Sequence, residues 1–473
     1  MIGCASRGGD SERAPGTDSS GGASEDTVAD TTDETTDDTA PGDTGSAGDT
    51  SLTTDEGVTV GPLALSDRPR NVLVITLDTT RRDAIGRYSG DAEATPFLDR
   101  LLSEGIALDA HRACSDWTWE SLLCAQAGRM PYRLGFAWSG ETGGSAVIPD
   151  DVPLVSQALL EAGFQTALVS AQPFMGGGVG LSRGFQQVRY TPDQPAARLV
   201  QQTLLTLEAL DADAPWYLNL HFLDPHHLYE PPASYLGALD ALAPCPYDLS
   251  TGAGYEAMQR GWGSLSESSR ALVRSHLLAR YAAELRYLDD QLAALWAGLE
   301  ATGALEETLV LVWTDHGEQL YQHGSPNHGA GLYDEETRGA ALFWSSDLLA
   351  PAAWTEPTTH LDLWPTLLAA LGVTVEMTMD GYPLGERPDD APVFAVHYRG
   401  GETDQSVVVG EEKLLVRWDG VAQRYALGVD PGELEDRFSG GEEDAALWEL
   451  LRPEVEAAAA AAGGAAAVLP DFE

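Results

Sequence analysis

Apolar residues in this chain come in two textures. Short, nearly unbroken runs rich in β-branched residues occur at Asn71-Val72-Leu73-Val74-Ile75-Thr76-Leu77, near 165–170, near 216–222 and at Thr308-Leu309-Val310-Leu311-Val312-Trp313-Thr314. Runs of that length without polar alternation mark strands buried on both faces, as in a parallel sheet. Between them lie segments with apolar residues at helical spacing. The clearest runs from about Ser266 to Leu299, with Leu285, Leu288, Leu292 and Leu295 on one stripe; it reads as core-facing packing and carries no chemistry. Strands alternating with helices predict an α/β fold, a doubly wound and mostly parallel sheet flanked by helices. After Gly372-Val373 the texture changes. Pro392–Val396, Ser406–Val409 and Lys413–Trp418 are short, strand-like and separated by glycine-containing turns, which predicts a smaller C-terminal antiparallel-sheet subdomain. From about Glu454 to Val468 the chain is Ala-rich and reads as a frayed helix. The expected division is a tether at 1–66, a main α/β domain at 67–375, a small subdomain at 376–440 and an Ala-rich helical tail at 441–473.

Residues 5 to about 66 are Thr, Asp, Ser, Gly and Glu with few large apolar groups. Burial within such a segment cannot offset the entropy of ordering it, so disorder is expected. The formal net charge of the chain is −47, and residues 1–66, with 14 acidic residues and two arginines, leave −35 to the rest. A surface this acidic repels nucleic acid and anionic membranes, and excludes a nucleic-acid partner. Lys413 is the only lysine. At the start, Met1-Ile2-Gly3-Cys4-Ala5-Ser6 resembles the lipobox end of a bacterial lipoprotein signal, although no charged and apolar leader precedes it. The expectation is an extracytoplasmic protein of the bacterial envelope, held to the membrane only through lipidation of Cys4. No apolar stretch approaches the ~18 residues of a membrane span. Cys114, Cys124 and Cys245 lack C-x-x-C spacing, which argues against a structural zinc site. One disulfide among them would leave a free thiol; Cys124, inside a predicted helix, reads as a buried, unreactive cysteine.

Chemistry enters where the buried runs end. Asp78 follows the run 71–77, and Asp315-His316 follows the run 308–314. The carboxyl ends of parallel strands are where open α/β sheets place ligands. Carboxylate oxygens beside an imidazole suit one divalent ion, and Zn, Mn and Ca all remain open. Taken singly, a strand-ending Asp is more often a turn or cap residue.

The segment Asn71–Thr79 with Arg82-Asp83 and Thr95-Pro96-Phe97-Leu98-Asp99 resembles the opening of the sulfatase family, metal-dependent ester hydrolases of the alkaline-phosphatase superfamily. Similar in the same order are His221-Phe222-Leu223-Asp224-Pro225-His226, the segment Asp315-His316-Gly317-Glu318 with His323-Gly324, His328-Gly329, Leu332–Glu335 and Arg338, then Asp362–Leu368 and Asp430–Glu433. The resemblance spans roughly residues 70 to 440. It implies Asp78, Asp315 and His316 as metal ligands and a nucleophile on the helix that follows the first metal strand. Aligning Ala127-Gly128 and Pro131 with the family pattern puts Thr118 at the nucleophile. A hydroxyl at a helix start gains from the positive helix end; the plain alternative is that Thr118 merely caps that helix. Threonine cannot become the formylglycine of true sulfatases, but it is the nucleophile in related phosphodiesterases and phospho-group transferases.

Several positions depart from the family. Glu120 replaces a proline, Leu122 replaces an Arg or His, Ala171 stands where many members bind the substrate anion with Lys or Asn, and Thr79 replaces a second Asp. The resemblance makes His226 and His328 the candidates for leaving-group protonation and oxyanion contact, since imidazole titrates near neutrality; His221 and His323 are expected to be structural or to orient other groups. The reading is a metal-dependent hydrolase of sulfate or phosphate esters, acting on a small-molecule, glycan or lipid ester. Its rivals are a catalytically degraded surface binding protein and a phospho-group transferase working on envelope polymers.

Overall fold

The computed structural model describes residues 59–60, 63–135, 147–388, 390–399 and 402–462. Most of the expected tether, with Cys4, lies outside them. Its last residues do not behave as a tether: Leu63 and Leu65, on alternate positions, are buried in the core, and Leu65 pairs with Leu349.

Eight strands form the central sheet: β1 (Asn71–Leu77), β2 (Ile106–Leu108), β3 (Gln165–Ser170), β4 (Gln187–Tyr190), β5 (Trp216–Phe222), β6 (Thr308–Thr314), β7 (Ala341–Trp344) and β8 (Ala352–Trp354). Their order is β8-β2-β7-β6-β1-β5-β3-β4, and only β7 runs antiparallel to its neighbours. The central strands β1, β5 and β6 are buried at every position. Alternation along them feeds two cores, one on each face. Val72, Val74, Leu309 and Leu311 meet Trp119, Leu123, Leu363 and Trp364, whereas Leu73, Ile75, Val310 and Val312 meet Leu98, Leu199, Leu285 and Leu288.

The helices of these two layers are α1 (Pro96–Glu104), α2 (Thr118–Ala127), α3 (Ala196–Leu207), α4 (Glu267–Thr302) and α5 (His360–Leu371). Helix α4 starts at an N-cap, Ser266, whose hydroxyl accepts from the Ser269 N–H at 3.2 Å, and ends at Gly303 in the left-handed conformation.

A second, four-stranded antiparallel sheet comprises β9 (Val393–Arg399), β10 (Glu402–Val409), β11 (Glu412–Val416) and β12 (Ala422–Ala426). Helix α6 (Glu442–Ala462) covers it with Leu447, Trp448, Leu451 and Val455. The far end of α6 reaches the main domain, where Glu454 accepts from the Tyr132 hydroxyl at 2.7 Å. Inside the seam, Lys413 is fully buried and its ammonium lies 2.7 Å from Glu433 and 3.0 Å from Asp334, which also pairs with Arg112 at 2.6 Å. Cys124 is buried but not a free thiol: it pairs with Cys114, whose Cα lies 6.8 Å from its own. Among the described residues, Cys245 is the free cysteine.

Candidate functional site

Strands β1 and β6 are hydrogen-bonded neighbours in register, Leu77 opposite Thr314, so Asp78 and Asp315 emerge side by side at the carboxyl edge. Both are fully buried. The turn after Asp78 is held by strain. Thr79 has φ 51°, a left-handed conformation that β-branched residues resist. Three contacts over-determine it: its N–H donates to Asp315 Oδ1 at 3.0 Å, its carbonyl accepts from the Tyr281 hydroxyl at 2.8 Å, and that same hydroxyl accepts from the Arg81 N–H at 2.7 Å. Asp315 Oδ1 also accepts from the His316 N–H at 2.8 Å. The next residue must be glycine, since a Cβ on Gly317 would lie 2.0 Å from the Glu335 carbonyl oxygen.

His316 donates through Nδ1 to the Gly317 carbonyl at 2.9 Å, which assigns the lone pair to Nε2. That Nε2 lies 3.0 Å from Thr118 Oγ1 and 3.5 Å from Asp315 Oδ2. Thr118 is the first residue of α2; Trp117 occupies the cap position and no side chain caps the helix there. The capping alternative is therefore set aside, because the Thr118 hydroxyl is engaged by His316 and not by its own backbone. Asp116, just upstream, is pinned from two sides: its Oδ1 lies 2.7 Å from Nδ1 of His397 on β9, and its Oδ2 accepts from the Gly331 N–H at 3.2 Å. Burial opposes charging of His397, yet the Asp116 carboxylate holds its pKa up at about 9.

Charge in the site is unbalanced. Burial alone would raise Asp78, but the hydrogen bond from His221 and the surrounding imidazoles hold it well below the usual carboxylate range. Burial together with the Asp78 charge pushes Asp315 well up. Asp78 Oδ1 and Asp315 Oδ2 are both buried without a hydrogen-bond partner. Two orphaned carboxylate oxygens and an imidazole lone pair, with the Thr118 hydroxyl beside them, form a donor set that fits a divalent ion. Ligand atoms on a four-coordinate ion with bonds of about 2.0–2.1 Å lie about 3.3 Å apart, close to the spacings around His316 Nε2.

Two further residues hold this set, Gln172, which sequence reading missed, and His221, which it expected to orient other groups. The amide of Gln172 donates to Asp78 Oδ2 at 2.6 Å. His221, the penultimate residue of β5, places Nε2 3.1 Å from the same oxygen, so it orients a carboxylate as well as filling the core. His323 has both ring nitrogens occupied, Nδ1 with Glu335 at 2.5 Å and Nε2 with the Glu433 carbonyl at 3.1 Å. His226 and His328 come together, ring centroids 5.0 Å apart, and His328 is 4.5 Å from His316. Nδ1 of His328 is 3.2 Å from Glu318, whose pKa burial pushes up to about 7. Leu122 and Ala171 are both buried in the apolar core, so neither position contributes charge.

Residues 70–373 match the family model described as Sulfatase. The chain is 22% identical over 422 residues to the N-acetylgalactosamine-6-sulfatase of Rattus norvegicus, an alignment covering 77% of this chain and 75% of that protein. It is 26% identical over 217 residues to the choline-sulfatase of Rhizobium meliloti, across 42% of this chain and 40% of that one. Among solved structures, BT4656 in complex with its substrate D-glucosamine-2-N,6-O-disulfate superposes with TM-score 0.66 at 18% identity, over 83% of this chain and 98% of that chain. The phosphonate monoester hydrolase of Agrobacterium radiobacter gives 0.64 at 18% identity, over 83% and 96%.

Proposed function

The chain belongs to the sulfatase family, and from that premise we propose that it hydrolyses singly charged tetrahedral esters, sulfate monoesters or phosphodiesters, with Thr118 as nucleophile. The observation that carries the reading is the placing of the Thr118 hydroxyl 3.0 Å from His316 Nε2, with Asp315 Oδ2 3.5 Å from the same nitrogen and Asp78 beside Asp315 at the strand ends. Asp78, Asp315 and His316 would hold one divalent ion. When bound, such an ion supplies positive charge that favours ionisation of a neighbouring hydroxyl and offsets charge on the ester's nonbridging oxygens.

The remaining chemistry belongs to the chain. Thr118 attacks sulfur or phosphorus as its hydroxyl proton passes to solvent, and the ester oxygen leaves with a proton from His226 or His328. Water then releases the group from Thr118. Glu318, bound to His328 Nδ1, orients that ring and shares its proton load. With Leu122 and Ala171 in place of cationic groups, little protein charge is available for a dianion, which favours monoanionic esters over phosphate monoesters. Family membership favours sulfate, and the names of the relatives favour a glycan carrier; Thr118 in place of a formylglycine precursor favours a phosphodiester.

Export to the envelope, with Cys4 lipidated, is proposed alongside. The Cys114–Cys124 pair supports an oxidising compartment, and no helix among the described residues is long and apolar enough to cross a membrane. The test is metal analysis of the purified chain together with turnover of aryl sulfates, phosphodiesters and phosphomonoesters. Turnover confined to phosphomonoesters, or turnover unaffected by metal removal, would sink the reading.

A further inference from the structure

We propose that His226, His227 and His328 form a second metal site, distinct in chemistry from the carboxylate-rich one. Each offers one ring nitrogen, and these nitrogens lie within 4.8 Å of one another. The hydrogen bonds leave a ring nitrogen unengaged on His226 and on His328. Nδ1 of His226 is 2.7 Å from the His227 carbonyl, an acceptor only, so that nitrogen carries the proton and Nε2 is free to ligate. Nδ1 of His328 is engaged by Glu318 Oε1 at 3.2 Å, which again leaves Nε2. Metal-ligating histidines characteristically give their other ring N–H to a carbonyl or carboxylate, and both partners are present here. His227 contributes a different sign of a site: its Nδ1 is buried with no hydrogen-bond partner, while the ring is held by stacking on His226 at 4.4 Å and on Tyr255 at 5.7 Å.

Three neutral imidazoles with one side of the ion uncovered are a donor set for zinc or a similar borderline ion, and a poor one for calcium or magnesium. Neutral donors leave the ion its full double charge. Resting on the ester-hydrolase reading, that charge would supply what Leu122 and Ala171 do not, with an oxygen of the sulfate or phosphate group as the fourth ligand. His328 stands between the two donor sets, so the two ions would be neighbours. An imidazole whose lone pair is bound to an ion has no proton to give, so with this ion bound the leaving oxygen takes its proton from water in place of His226 or His328.

The full chain, stripped of metal, reloaded with zinc alone and dialysed, is expected to retain two zinc ions per chain by elemental analysis. His227→Phe, which keeps a ring to stack on Tyr255 while removing both nitrogens, should retain one, and His227→Gln should do the same; thermal melts establish that each variant is folded. Asp315→Asn should also retain one, and the combined variant none. An unchanged zinc count in folded His227→Phe and His227→Gln overturns the second site. If those two variants lower the count while Asp315→Asn does not, the second site stands and the carboxylate site of the proposed function fails instead.

Discussion

The Thr118 hydroxyl and His316 Nε2, 198 residues apart in the chain, are 3.0 Å apart in the structure. Removing that hydroxyl as Thr118→Ala is expected to abolish turnover of aryl sulfates and phosphodiesters while metal content stays within error of the wild type. Thr118→Ser should keep measurable turnover, since a primary hydroxyl makes the same attack. Because no helix cap is lost, the stability cost of the alanine should stay near ~1 kcal/mol, the worth of one hydrogen bond. Full activity in Thr118→Ala would remove this residue from the mechanism.

In the proposed metal site His221 would act on the ion through Asp78. His221→Ala should weaken divalent-ion binding by ~10- to 100-fold, the usual effect of losing a residue that orients a ligand. Competition with a chromogenic chelator measures it; an unchanged affinity would mean that His221 only fills the core.

The Asp116–His397 pair predicts a pH-dependent seam. His397 titrates at about 9 when folded against an ordinary 6.5. Stability from the pair is therefore fully present below pH ~6.5 and is lost as pH rises through ~9. The shift corresponds to something on the order of 3 kcal/mol. Urea denaturation of wild type and His397→Gln should differ by about that much at pH 6 and converge near pH 9.5. A difference independent of pH would show that His397 contributes packing and not charge.

Lys413 is enclosed with Glu433, Asp334 and Arg112. Replacing it with Met leaves a buried carboxylate without its partner, a change that typically costs ~3–5 kcal/mol. Lys413→Met is expected to lower the urea midpoint correspondingly. A double variant, Lys413→Met with Glu433→Leu, should recover a large part of the loss; failure to recover would point to Asp334 as the partner that matters.

The sheet was legible because buried parallel strands declare themselves: 71–77, 165–170, 216–222 and 308–314 are strands with those bounds. The long helix and the change of texture after Gly372 were legible for the same reason, a hydrophobic period set by burial. Less was visible where burial leaves no period. Ala422–Ala426 reads Ala-Gln-Arg-Tyr-Ala and gives no strand pattern, because the neighbouring strand supplies its pairing. The alanines of helix α6 do not show what it packs on, since Leu447, Trp448, Leu451 and Val455 cover the small sheet. In the site, Asp78, Asp315, His316 and Thr118 could be named from strand ends and family pattern. Gln172 and His397 could not, because their roles arise from partners 94 and 281 residues away.

The enclosure of Lys413 has a consequence for handling the molecule. As the only lysine, and fully buried, it leaves the folded chain without a side-chain amine in solvent. Acylating dyes, aldehyde cross-linkers and activated-ester resins will find no lysine to modify until the seam opens. The rate at which this single amine becomes reactive is thus a direct clock for separation of the small sheet from the main domain, readable by mass spectrometry without any engineered probe.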